Sequence, residues 1–173
     1  MDGGACEVGL ESTVILLDGG DKLTILRPGA VTAAMLRETV PHVEIGHGVL
    51  NEVKEGEKAL SPGMLHRHYS PRANVILLDG SFARFQKFIE QHAGEDIGAM
   101  VFNGEETKLD VPCVTYGAQE DPAIQAKLLF SALRDVDSLG VATVYARMPD
   151  KSGMGLAIYN RLIRAAGFEV ISL

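Results

Sequence analysis

Cysteine is nearly missing from this chain: its 173 residues contain two, Cys6 and Cys113. With no CxxC and no second pair, a disulfide framework and a thiolate zinc site are excluded, and the usage fits a reducing cytoplasm. Basic residues are also short, 16 Lys and Arg against 23 Asp and Glu, for a net charge of -7. An acidic chain exerts no broad pull on nucleic acid, so a phosphate-tracking surface would have to be local. No apolar run approaches the roughly 18 residues of a membrane span. Met1-Asp2-Gly3-Gly4 offers neither the basic region nor the apolar core of a signal peptide. Repeats and low-complexity tracts are missing too. The expectation is a soluble, cytoplasmic protein with no membrane contact. With 46% hydrophobic residues, it can bury one domain and a fraction of another.

What is present falls into two unlike parts. From residue 73 onward the pattern is regular. Strands are expected at Asn74–Asp79, Ile97–Phe102, Val111–Tyr116, Val141–Ala146 and Phe168–Ile171. Between them, Ser81 caps a helix with Phe82, Phe85 and Ile89 at helical spacing. Asp121 and Pro122 open a long one through Leu139, with Ile124, Leu128, Leu129 and Leu133 inward and Gly140 at its end. A third helix spans 155–166 and stops at Gly167. Alternating strands and helices specify an α/β fold, Rossmann-like, with a mostly parallel sheet of about five strands.

The first part, residues 1–50, is thinner. Val14–Leu17 and Lys22–Leu26 read as a hairpin around Asp18-Gly19-Gly20. A short helix follows over 32–40 with Met35 and Leu36 on its apolar face, and a short strand over 43–45. Those elements bury too little apolar surface to stand alone, so they read as the remnant of a larger domain. The apolar faces of Val14–Leu17 and Leu23–Leu26 should then be exposed, and either pair in a homodimer or be poorly ordered. Residues 46–58 read as a mobile link.

Between the parts, over 51–72, lies a loop bracketed by Pro62 and Pro71 that concentrates His66, Arg67, His68 and Tyr69. The prolines exclude a continuous helix or central strand, and the side chains suit anions or rings, so the loop should bind something. His66 and His68 would be a metal pair only with a third ligand, which the spacing does not supply. If the hairpin forms, Ser12 and Thr13 lie close to Arg27. Hydroxyls and a guanidinium at one sheet end suit a carboxylate or phosphate, or simply cap a strand; spacing leaves both open. Lys151-Ser152-Gly153-Met154-Gly155 precedes the last helix, yet matches neither a dinucleotide fingerprint nor a P-loop, so turn chemistry is the simpler reading. Asn160 and Arg161 read as a solvated helix face.

Taken together, Asp2-Gly3-Gly4, Val8-Gly9-Leu10-Glu11-Ser12-Thr13-Val14, Ile25-Leu26-Arg27-Pro28-Gly29, Ser61-Pro62-Gly63-Met64 with Arg67-His68-Tyr69, and Gly155-Leu156-Ala157 with Asn160-Arg161-Leu162 resemble the long, two-domain form of threonylcarbamoyl-AMP synthase, built on a YrdC-like domain. The resemblance implies a nucleotidyltransferase that makes L-threonylcarbamoyladenylate and pyrophosphate from L-threonine, bicarbonate and ATP, with Mg2+. Other proteins then transfer the threonylcarbamoyl group to an adenosine of tRNAs that read codons beginning with A. It places Ser12 and Thr13 in the threonine pocket and Arg27 at the nucleotide. His66, Arg67 and Tyr69 become lid contacts to ATP, with Leu65-His66 standing where the family usually has Lys-Tyr. The family's KxR and S-x-N motifs precede the point where this chain begins. The implied reading is the C-terminal half of the enzyme, with no catalytic residue of its own and inactive alone: a YrdC-like remnant (1–50), a lid (51–72) and an accessory Rossmann-like domain (73–173). The alternative is a non-enzymatic α/β module that binds a partner or a regulatory nucleotide.

Overall fold

In the computed structural model, residues 8–52 and 70–173 are described; the Asp2-Gly3-Gly4 segment, Cys6 and the loop residues His66, Arg67, His68 and Tyr69 lie outside them. Five strands, β4 (Asn74–Asp79), β5 (Ile97–Val101), β6 (Cys113–Thr115), β7 (Thr143–Arg147) and β8 (Val170–Ser172), form one sheet in the order β6-β5-β7-β4-β8. Every neighbouring pair is parallel. Alternation along the strands sends Val75 and Leu77 to one face and Ile76 and Leu78 to the other, as a sheet covered on both sides requires.

Helix α3 (Phe82–Gln91), capped by the Ser81 hydroxyl, lays Phe85 and Ile89 on the Leu78 face. Helices α4 (Pro122–Val136) and α5 (Gly155–Ala165) cover the Val75 face. Asp121 caps α4, and Gly140 takes a left-handed φ of 68° after a closing 3-10 turn. The inward residues of α4 correct the expectation: Leu129 and Leu133 are buried, whereas Ile124 and Leu128 face outward. The stripe runs through Ala126, Leu129, Leu133 and Val136; at 100° per residue Leu128 sits a quarter-turn off it and Ile124 lies on the far side.

The N-terminal residues build a smaller sheet, β1 (Val14–Leu17), β2 (Lys22–Arg27) and β3 (His42–Ile45), ordered β1-β2-β3. The hairpin is antiparallel as expected, with Val14 opposite Arg27, and β3 runs parallel to β2. Its helix α1 (Ala33–Arg37) is shorter than the 32–40 expected; Thr32 caps it, Leu36 packs inward and Met35 is exposed. Of the two strands expected to present apolar faces, only β1 does, with Leu17 69% exposed. Leu23 and Ile25 are buried against Val43, Leu36 and Val40, because β3 and α1 close over β2.

The expected link begins later than residue 46. Gly46 opens a short helix, α2 (His47–Leu50), in which Val49 is fully buried. The Val49 carbonyl is held by α5, which is enclosed along almost its whole length. One face meets the parallel sheet. The other meets the N-terminal residues through polar contacts: Asn160 Nδ2 donates to the Val49 carbonyl and Arg164 Nη2 to the Gly48 carbonyl, each at 2.6 Å. Asn160 and Arg161 are therefore buried contacts and not a solvated face, since a second layer of chain lies over them. Burial lowers the Arg164 pKa from its ordinary value, with the neighbouring Arg161 charge acting in the same sense.

Tyr116, fully buried, donates its hydroxyl to the Arg147 carbonyl at 2.9 Å. Burial raises its pKa well above 10.0, with the Arg147 charge opposing and the Glu105 charge adding. In the unfolded chain the phenol ionises near its ordinary value of about 10. The stability tied to the neutral ring is thus complete below that pH and is lost as pH climbs through and beyond it. Urea midpoints should fall between about pH 8 and about pH 10.5, and Tyr116→Phe should flatten that fall.

Candidate functional site

Two places gather polar side chains. The first is the open end of the hairpin, where β1 begins and β2 ends. Arg27 Nε donates to the Ser12 carbonyl at 3.0 Å and Nη2 reaches Ser12 Oγ at 3.2 Å. The third guanidinium nitrogen, Nη1, makes no hydrogen bond among the described residues. The Thr13 hydroxyl turns the other way and donates to the Val31 carbonyl at 2.8 Å. Pro28-Gly29 fixes this end from behind: a Cβ on Gly29 would stand 2.5 Å from the Glu11 carbonyl oxygen and 2.6 Å from the Thr13 nitrogen. Only glycine allows the Ser12–Thr13 backbone so near. The expected meeting of Ser12 with Arg27 thus forms, while Thr13 sits beside it without joining the guanidinium. The strand-capping reading is realised, since Arg27 caps Ser12 through both its carbonyl and its hydroxyl.

Glu11, the residue before Ser12, was not singled out from sequence. Its Oε1 pairs with Arg161 Nη2 at 2.7 Å, and its Oε2 is buried with no hydrogen-bond partner among the described residues. Leu10 packs against the α4–α5 core, and Gly9, at φ 76°, runs so near α4 that a Cβ would fall 2.5 Å from the Lys127 Cα. The Val8–Glu11 approach is therefore anchored to the larger unit, one residue short of the hairpin end. A carboxylate three to four residues from no partner in sequence gives no local signal; the pairing is 150 residues away along the chain.

The second place is a crevice of about 500 Å³ outside the carboxyl ends of the parallel strands, lined by Asp79, Phe102, Glu120, Arg147 and Lys151 among others. Strand β4 leaves toward α3 on one face and its neighbour β7 toward α5 on the other, so the crevice lies at a switch in chain direction, where open α/β sheets take ligands. Arg147 is 4% exposed, paired with Glu105 through Nε at 3.1 Å, and bonded through Nη1 to the Gly80 carbonyl at 2.7 Å. Lys151 pairs with Asp79 at 3.2 Å, and Asp150 accepts from the Ser152 amide and hydroxyl. Within the Lys151–Gly155 turn, Lys151 and Ser152 thus already have acidic partners. Gly155 is required by packing, since a Cβ would meet the Asp150 carbonyl oxygen at 2.4 Å. Among the described residues no group of three His, Cys, Asp or Glu side chains comes together to hold a metal ion. Nor is any of their helices long and apolar enough to cross a membrane.

A Rossmann-like parallel sheet held against a small mixed sheet, with a hydroxyl–guanidinium pair at the small sheet's open end, defines an α/β protein. The family model described as "Threonylcarbamoyl-AMP synthase, C-terminal domain" matches residues 31–167. The chain belongs to the threonylcarbamoyl-AMP synthase family. It is 33% identical over 177 residues to the threonylcarbamoyl-AMP synthase of Bacillus subtilis, covering 99% of this chain and 49% of that protein. With the Pyrococcus abyssi enzyme identity is 32% over 179 residues, covering 100% of this chain and 50% of the relative. The crystal structure of P. abyssi Sua5 complexed with L-threonine superposes with a TM-score of 0.83 at 30% identity, over 99% of this chain and 50% of that one. The chain therefore spans about half the length of the curated relatives it matches.

Proposed function

We propose that this chain supplies the C-terminal part of an L-threonylcarbamoyladenylate synthase, which joins L-threonine, bicarbonate and ATP with release of pyrophosphate. The observation that carries the reading is the Ser12–Arg27 pair at the hairpin end, a hydroxyl and a guanidinium held at 3.2 Å in a chain similar to a protein crystallised with L-threonine. In this reading Ser12 and Thr13 line the threonine pocket. Arg27, steadied by its two bonds to Ser12, turns Nη1 toward the nucleotide, where a fixed cation favours developing negative charge. His66, Arg67 and Tyr69 of the loop contact ATP as a lid. Residues 1–50 then belong to the YrdC-like catalytic unit, 51–72 to the lid and 73–173 to the accessory domain.

The phosphate chemistry needs more positive charge than Arg27 provides, and the KxR and S-x-N motifs of the family would have to come from an N-terminal half. Mg2+ would travel with the ATP phosphates, since the described residues fit no ion of their own; no step is assigned to it. The product would pass to threonylcarbamoyl-transfer proteins that modify tRNA in the cytoplasm, so this chain needs no broad nucleic-acid surface of its own. The exposed side chains of β1 would be covered by the N-terminal half or, without it, by a second copy of the chain.

The purified chain should release no pyrophosphate from ATP in response to L-threonine and bicarbonate. Clear turnover by the chain alone overturns the assignment of catalysis to an N-terminal half. The crevice at the carboxyl ends of β4, β5 and β7 favours a second reading, in which the α/β unit binds a regulatory nucleotide. Calorimetry with ATP and AMP separates the two: nucleotide binding lost in Lys151→Ala and kept in Arg27→Ala supports the module, and the opposite pattern supports the synthase site.

A further inference from the structure

We infer that Arg161 is a positioning residue for the threonine pocket: from the accessory unit it sets Ser12 and Thr13 by gripping Glu11. The inference rests on the synthase reading of those two residues and adds a task for the domain that carries no part of the pocket.

The Ser12–Thr13 backbone has two supports. On the downstream side stand Arg27, bonded to the Ser12 carbonyl and hydroxyl, and Gly29, packed against the Glu11–Thr13 backbone. On the upstream side, among the described residues, three successive residues reach the larger unit. Gly9 lies against α4, Leu10 packs into the core beneath α4 and α5, and Glu11 pairs with Arg161 at 2.7 Å. Arg161 is only 8% exposed, so its charge acts through little solvent screening. Glu11 depends on it heavily, because Oε2 is buried with no partner among the described residues. Without the guanidinium, the buried Oε2 loses its compensating charge, and because a third of the Glu11 side chain already meets solvent, its cheapest escape is rotation toward water. Glu11 is bonded directly to Ser12, so losing that tether frees the backbone that carries the pocket. On the same helix, one position before Arg161 and three after it, Asn160 and Arg164 hold the Val49 and Gly48 carbonyls. One helix of the accessory unit thereby fixes both ends of the smaller unit, with Arg161 facing the chemically important one.

The chain itself carries the deciding experiment, deuterium uptake over residues 10–15 against 143–147 of the β7 strand. Arg161→Ala should speed uptake over 10–15 about tenfold and leave 143–147 unchanged, with Arg161→Lys recovering most of the protection. Glu11→Gln should reproduce the effect, and the double variant should be no worse than either single one, because the two residues act as one device. Additive effects, or unchanged uptake over 10–15 in a folded Arg161→Ala, overturn the inference. With the N-terminal half of a relative joined to the chain, Arg161→Ala should raise KM for L-threonine about tenfold and leave KM for ATP within about twofold. An equal rise in both overturns a role specific to the threonine side. An inactive unsubstituted fusion counts against the synthase reading instead, and the exchange result still decides whether Arg161 positions Ser12.

Discussion

Glu105→Ala should lower the unfolding free energy by about 3–5 kcal/mol, the cost of leaving a buried charge without its partner. Glu105 holds Arg147 by Nε contacts of 3.1 and 3.2 Å, and its Oε2 also accepts from the Phe102 amide at 3.2 Å. Both side chains of the pair are almost wholly out of water. Arg147 is 4% exposed, and the rings of Phe82, Phe85 and Phe102 stand 5.4 to 5.8 Å from its guanidinium carbon. Those ring faces favour a cation, but by about 0.5–2 kcal/mol each at most, too little to replace a carboxylate. Urea unfolding gives the readout, as a lower midpoint with an unchanged slope. Exchanging both ends, Glu105→Leu with Arg147→Met, should cost much less than the single change, because no charge is then stranded. A Glu105→Ala loss below about 1 kcal/mol would mean that the pair is hydrated in solution.

Gly29→Ala should undo the hairpin end while the parallel sheet stays intact. The added methyl would lie 2.5, 2.6 and 2.9 Å from Glu11 O, Thr13 N and Ser12 C, all backbone atoms that cannot rotate aside. Overpacking of this kind costs about 1–3 kcal/mol. Here it falls on a small unit whose buried cluster is Leu23, Ile25 and Val43, which has little stability in reserve. Backbone NMR should show the amides of residues 12–15 and 25–27 shifted and exchanging faster, with those of Leu77 and Ala146 unmoved. A variant that keeps the Ser12–Arg27 contacts and wild-type exchange would show that β1 and β2 can part at that point without loss.

The larger unit was legible because each of its elements carries local marks. Ser81 and Asp121 cap helices, Gly140 ends one, and β-branched runs give the strands, so the five-stranded parallel sheet follows from neighbours in sequence. Ser12 meeting Arg27 was equally readable, since a hairpin places its two ends together whatever else happens. What sequence hid was set by distant partners. Nothing near Asn160, Arg161 or Arg164 announces that residues 11, 48 and 49 will lie over them, so a polar helix face looked solvated. Leu23 and Ile25 looked exposable because β3 and α1 cover them only once the parallel β2–β3 pairing is made. Ile124 and Leu128 were misplaced for a different reason: the helix is rich in apolar residues all round, and periodicity alone chose between stripes poorly.

Helix α5 is enclosed from Ala157 through Ala165, with the parallel sheet on one side and the N-terminal residues on the other. Most surface helices keep one side where almost any polar residue is accepted. This one has none to spare, so each position answers to two sets of neighbours at once. In a saturation scan of the chain, α5 should therefore tolerate fewer substitutions than α3, whose outer side faces water. Its two kinds of intolerance should differ: changes at Ile158, Leu162 and Ile163 should cost whole-chain stability, while changes at Asn160, Arg161 and Arg164 should fall most heavily on the N-terminal residues. The helix thus acts as a hinge pin shared by both units, and drift in either one is checked by the other.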